Sequence, residues 1–146
     1  MSESIRPYRV MFVCIGNSCR SPMAEAIAQT KHADIIEAFS SGVAPASIIQ
    51  PSTLRCLEEK EFRLSPDKQP QKLPKSNWRE MDVIVNMSGG GILPIVQGFK
   101  GSNLIWEVAQ PMGHPLTAYR RARDVIEKHV DKLAGMLRKH RDSASA

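Results

Sequence analysis

Aromatic residues make up only 5% of this 146-residue chain: four Phe, two Tyr and two Trp. A protein that holds nucleic acid by stacking interleaves aromatics with its cations. The formal charge of +5 therefore does not call for a nucleic-acid partner. Much of the excess lies between Lys60 and Lys75 and between Arg120 and Arg141, where solvated surface or attraction for anionic, phosphorylated substrates accounts for it. No run of about 18 apolar residues is present, so no membrane-spanning helix is expected. The segment Met1 to Tyr8 lacks the apolar core of an export signal, and a cytoplasmic location is the expectation. Three cysteines, an odd number, make no disulfide framework and read as free or catalytic thiols. No His, Cys, Asp or Glu cluster has the spacing of metal ligands, so neither a metal nor another cofactor is expected. Internal repeats and low-complexity stretches are absent too. One domain spanning 1–146 is expected, since a chain of this length can bury a core of its own.

What is present alternates between two periods. Tyr8 to Cys14 is a nearly continuous apolar run, which predicts a strand buried on both faces. Ser21-Pro22 then predicts a helix start, with Ser21 as the cap, and Met23, Ala24, Ile27 and Ala28 form its apolar stripe to about Lys31. Ile35 to Ser41, Met81 to Met87 and Leu104 to Val108 read as three further strands. Pro51 to Glu61 reads as a helix with Leu54, Leu57 and Cys56 inward. Ser65 to Pro74, with three prolines, reads as loop. A short helix is expected after Ser88-Gly89-Gly90-Gly91, to about Gln97. Leu116 to His140 shows a long amphipathic stripe through Tyr119, Ala122, Ile126, Val130, Leu133 and Leu137, followed by a frayed tail from Asp142. This alternation predicts an α/β fold, a three-layer sandwich around a four-stranded parallel sheet, with ligand bound beyond the carboxyl ends of the strands.

Cys14 stands at such an end. The residues between Cys14 and Arg20 can curl into a cup with backbone N–H groups inward, and the following helix N-terminus adds partial positive charge. That field favours a thiolate at Cys14. Arg20 can fork two hydrogen bonds onto an oxyanion, which a lysine could not do. Gly16 lets the backbone approach the ligand, Asn17 can brace the loop, and the Ser21 hydroxyl can donate to the Cys14 sulfur. These parts suit phosphoryl transfer to sulfur. Cys14 and Arg20 are the expected catalytic pair, and Ile15, Gly16, Asn17, Ser18, Cys19, Arg20 and Ser21 the expected substrate-binding loop after the first strand.

The string VMFVCIGNSCRSPMAEA closely resembles the phosphate-binding loop of the low-molecular-weight protein tyrosine phosphatases, whose fold is shared with one class of arsenate reductases. The similarity continues more loosely through SSGVAP, the LxCLEEKEFRLS segment and MDVIVNM to the last helix. The resemblance implies that Cys14 forms a cysteinyl-phosphate intermediate, that Arg20 binds the phosphate and stabilises the transition state, and that Asn17 and Ser21 hold the loop and the thiolate. It also implies that Cys19 can protect Cys14 through a reversible disulfide.

One element of the family's pattern is missing. An Asp-Pro pair ahead of the last helix supplies the general acid; here the segment is Trp106-Glu-Val-Ala-Gln110-Pro111, and Gln110 has no proton of useful acidity. Losing general acid catalysis costs on the order of 10²–10⁴-fold. Glu107 and His114 are the nearby groups that could stand in. The sequence leaves three activities open. One is a cysteine-dependent phosphatase, impaired at Gln110, for a phosphorylated protein or a small phosphomonoester. Another is a thiol-dependent arsenate reductase, which needs an external thiol reductant because Cys56 is expected in the core. The third is a phosphate-binding or regulatory module with little turnover. The stretch from Ala44 to Gln50 offers no aromatic wall that would select phosphotyrosine.

Overall fold

The computed structural model describes residues 6–145. Strand β1 (Tyr8–Cys14) runs into helix α1 (Arg20–Lys31), followed by β2 (Ile36–Gly42), α2 (Pro51–Glu59), two single-turn 3-10 helices (Leu73–Lys75 and Trp78–Glu80), β3 (Val83–Asn86), β4 (Ser102–Ile105) and α3 (Leu116–Ser145). All neighbouring strands are parallel, in the order β2-β1-β3-β4. The chain first steps from β1 to β2 on one side, then returns to the other side for β3, so the order reverses at β1. Ligand sites of open parallel sheets form where that reversal leaves a crevice beyond the strand ends.

β1 is buried along most of its length because it has neighbours on both edges and packing on both faces. Val10 and Phe12 enter a cluster with Met23, Ile27, Leu57, Ile126 and Val130, contributed by α1, α2 and α3. Met11 and Val13 point to the other face, against Leu73, Trp78, Ile84, Ile92 and Val96. That second face is covered by the 3-10 turns and by the turns that follow β3. No helix among the described residues is long and apolar enough to cross a membrane.

Several expectations shift. The helix expected up to Gln97 is a set of isolated turns, with Ile95 and Val96 N–H donating to Ile92 O and Phe99 N–H to Val96 O. Three glycines and Pro94 in so short a span leave too few helical residues to repay nucleation. Leu54 is 47% exposed, whereas Thr53, Cys56 and Leu57 form the buried stripe of α2. β3 starts two residues later than expected, at Val83, and β4 occupies Ser102–Ile105, leaving Trp106 to Val108 outside the strand. Helix α3 continues through the expected frayed tail to Ser145. Ser21 does not cap α1. The helix starts at Arg20 after Cys19, with no side-chain cap.

Glu59 ties α2 to α3, accepting from Arg120 Nε at 3.0 Å and Nη2 at 2.6 Å and from Arg123 Nη1 at 2.9 Å. These hydrogen bonds, that of Arg120 foremost, hold its carboxyl down to about 2. A carboxylate more acidic in the folded than in the unfolded chain stabilises fully above its ordinary value and loses that contribution as pH falls through its folded value. Thermal midpoints measured from pH 6 to 2.5 should therefore fall more steeply for the native chain than for Glu59→Gln, the two curves converging near pH 2. Parallel curves would show that the pair adds nothing to stability.

Candidate active site

The loop from Ile15 to Cys19 is held from outside by its carbonyl groups. Ala44 N–H donates to Ile15 O at 2.8 Å, Ala46 N–H to Gly16 O at 2.9 Å, and Gln50 N–H to Ser18 O at 3.1 Å, with Thr53 Oγ1 on the same Ser18 carbonyl at 2.8 Å. With its carbonyls turned outward, the loop presents its amides to the inside of the curve, the arrangement of an anion-binding nest. Asn17 makes the curve possible by taking φ 50°, a left-handed conformation that asparagine tolerates better than most side chains. Beneath it the end of β2 must be bare. A Cβ on Gly42 would stand 2.6 Å from Ile15 O and 2.8 Å from Asn17 N. At Gly16 an added Cβ would meet Ser18 Oγ at 3.2 Å and Ala46 Cβ at 3.6 Å, so the missing side chain lets segment 44–50 close on the loop.

Cys14 Sγ faces Ser21, whose Oγ is 2.9 Å away and whose backbone N–H donates to the sulfur at 3.4 Å. Ser21 does not cap the helix because α1 already starts at Arg20, which puts Ser21 inside its first turn. Arg20 is buried, and its Nη1 is engaged by Met87 O at 2.7 Å and Val108 O at 2.9 Å. Its Nε and Nη2 are buried and have no hydrogen-bond partner among the described residues. Those two N–H groups form one edge of the guanidinium, the edge that makes a two-pronged contact with a tetrahedral oxyanion.

Behind the loop runs a buried polar chain that the sequence did not disclose. Asn17 Nδ2 donates to Ser21 Oγ at 2.8 Å and to Ser40 Oγ at 2.9 Å, and its Oδ1 accepts from Gln71 N–H at 2.8 Å. Ser40 Oγ donates to Glu25 Oε1 at 2.5 Å. Lys68 Nζ completes the chain, 3.3 Å from Glu25 Oε1 and 2.9 Å from Ser40 O. Lys68 lies in the proline-rich stretch read as plain loop, and Glu25 in a helix read for its apolar stripe. Nothing local in the sequence marks either one.

The other thiols are accounted for. Cys19 Sγ lies 3.9 Å from Tyr119 Oη. Burial, then the neighbouring Cys19, pushes the Tyr119 hydroxyl up to about 12, so it stays protonated. Cys56 is fully buried, donates to Thr53 O at 3.3 Å, and burial pushes its thiol up to about 11. All three cysteines are free. Gln110 lines a cleft of about 380 Å³ at the foot of α3 together with Glu107 and His114, both exposed. Its Oε1 accepts from Met112 N–H at 3.4 Å. Trp106 packs on Phe12 at 5.7 Å and stacks on His129 at 4.9 Å between ring centroids, a packing role. Asp82 receives Arg6 Nη1 and the Arg9 amide, at 2.9 and 2.8 Å, and so ends in structure and not in chemistry. Gly89 to Gly91 border a cavity of about 680 Å³ whose wall includes Arg20.

The family model described as low molecular weight phosphotyrosine protein phosphatase matches residues 9–143. A protein-arginine-phosphatase of Geobacillus stearothermophilus is 32% identical over 143 residues, covering 90% of this chain and 97% of its own. A glutaredoxin arsenate reductase of Synechocystis is 31% identical over 126 residues, covering 86% and 95%. The solved structure of an arginine phosphatase from Geobacillus stearothermophilus superposes with a TM-score of 0.81 at 30% identity, covering 94% of this chain and 97% of that one.

Lys68→Met leaves the Glu25 carboxylate buried without its cation and should cost about 3 kcal/mol of stability. Adding Glu25→Gln should restore part of that, and iodoacetate should alkylate Cys14 more slowly in the single variant than in the native chain. An unchanged denaturation midpoint and alkylation rate would show that the buried chain does not hold the loop.

Proposed function

Because the chain belongs to the low molecular weight phosphotyrosine protein phosphatase family, we propose that it hydrolyses a phosphorylated substrate through a covalent intermediate on Cys14. The observation that carries this reading is the pairing of a doubly hydrogen-bonded Cys14 sulfur with the free, buried Nε–Nη2 edge of Arg20. The thiolate attacks phosphorus, the bond to the leaving group breaks, and a cysteinyl phosphate forms; water then attacks phosphorus and releases phosphate and the thiolate. Nest amides and the Arg20 fork hold the equatorial oxygens, whose charge grows along the way. Ser21 stabilises Cys14 as the attacking thiolate and again as the second leaving group.

Gln110 sets the limit. Without a proton donor at that place, substrates are favoured whose leaving group departs unprotonated: an activated aryl phosphate, or a phosphorylated guanidinium, which leaves as a neutral guanidine. The second class is the one named for the Geobacillus relative. Arsenate reduction is the alternative that the Synechocystis relative raises. In this chain the reducing step would fall to an external thiol, since Cys56 is buried with its thiol held up near 11.

Mixing with excess p-nitrophenyl phosphate should release a burst of p-nitrophenol equal to the enzyme. Cys14→Ser should abolish turnover yet bind phosphate. Full activity in that variant would place the nucleophile elsewhere, and arsenate-dependent oxidation of added thiol without a burst would favour the reductase. Gln110→Asp should raise turnover of poor leaving groups at least about tenfold, and no change would show that this side chain does not serve the leaving group.

A further inference from the structure

β4 is the last strand of the sheet, paired on one side only. Ser102 N–H donates to Asp82 O and Trp106 N–H to Asn86 O. By the two-residue period of a strand, Leu104 also turns its backbone towards β3, while the N–H and C=O of Asn103 and Ile105 face outward. Edge strands are ordinarily blunted by charges, proline or a covering segment. β4 reads Ser-Asn-Leu-Ile with none of the first two, and its residues are exposed except Leu104, which is half-buried. Ile105 is 76% exposed and Leu93, which lines the same cavity, 64%.

This open edge leads to the active site. From Ile105 to Val108 three residues span at most about 10 Å, and Val108 O accepts the Arg20 guanidinium at 2.9 Å. The wall of the 680 Å³ cavity includes both Asn103 and Ile105 of this edge and Arg20 and Val108. An extended peptide paired with β4 would thus place a residue a few positions along its own chain at the phosphate loop.

We propose that the free edge of β4 binds an extended, uncharged segment of a phosphorylated protein substrate. The Asn103 and Ile105 backbone groups pair with it, and Leu93 and Ile105 receive one of its apolar side chains. The proposal rests on the phosphatase reading for the role of the phosphoryl group, and it selects a polypeptide over a small phosphomonoester as the natural substrate. Strand addition draws affinity from main-chain hydrogen bonds and specificity from pockets for alternate side chains.

The test uses fluorescence anisotropy with Cys14→Ser and a labelled decapeptide, rich in Val and Thr, bearing a phosphotyrosine or, in a second arm, a phosphoarginine. A matched peptide N-methylated on alternate amides serves as the control. Asn103→Pro removes one outward N–H without touching the β3 pairing, and Ile105→Lys places a charge on the edge. Each should weaken peptide binding at least about fivefold, as should N-methylation. In the Cys14 background, turnover of p-nitrophenyl phosphate should be unaltered by either change. Equal affinity across peptides and variants would overturn the proposal. So would light scattering that shows a native dimer dissolved by Ile105→Lys with no loss of peptide binding, which would assign the edge to a second copy of the chain. Inorganic phosphate should protect Cys14 of the native chain from iodoacetate. If it does so and no peptide binds, the edge proposal fails alone; if it does not, the phosphatase reading fails as well.

Discussion

The left-handed turn at Asn17 is the constraint on which the site depends. At φ 50° it reverses the chain between Cys14 and Arg20, so that carbonyls leave the loop outward and amides remain inside. The same side chain then occupies the space behind the loop and satisfies three partners, Ser21, Ser40 and the Gln71 amide. A polar side chain buried this fully is favourable only when its hydrogen bonds are made. The surrounding structure supplies them: Ser40 sits two residues before the bare end of β2 at Gly42, and Gln71 ends the stretch anchored by Lys68 on Glu25. The shape of the loop therefore depends on contacts made well outside it.

Seen this way, the two halves of the sheet have different tasks. β1 and β2 carry the nucleophile, the loop and its support. β3 and the chain after β4 supply Met87 O and Val108 O, which turn the Arg20 guanidinium so that its Nε–Nη2 edge stays available. Arginine can do this because its five donors divide between a structural pair of acceptors and a ligand. On this side the chain also departs from its family, with Gln110 where a proton donor is expected. On the phosphatase reading, Gln110 bears on departure of the leaving group and leaves the loop and Arg20 untouched.

Much of this was legible in the sequence wherever the cause was local. The apolar run into Cys14, the five-residue gap to Arg20, and Ser21-Pro22 with an Ala-rich helix specify strand, loop and helix within one short stretch, and the structure joins Cys14, Ser21 and Asn17 by hydrogen bonds, with Arg20 turned to Met87 O and Val108 O. Ser21-Pro22 suggests a cap at Ser21, but the helix already starts at Arg20, so Ser21 lies inside the first turn with its Oγ 2.9 Å from Cys14 Sγ. Leu54 was assigned to the core of α2 by hydrophobicity, whereas the helix turns its Thr53, Cys56 and Leu57 inward. Lys68 and Glu25 were not legible, since their meaning arises only when a proline-rich loop folds over a helix far away in the chain. The exposure of β4 was equally hidden: a strand's neighbours are a property of the sheet order.

The central claim is that Cys14 attacks phosphorus, and the most direct measurement is the mass of the protein after acid quenching during turnover of p-nitrophenyl phosphate, followed by peptide mapping. The account predicts one phosphoryl group, on the Cys14 peptide, accumulating within the first turnover and absent from Cys14→Ser. Release of p-nitrophenol with no phosphoryl adduct, or with the adduct on another residue, would contradict it.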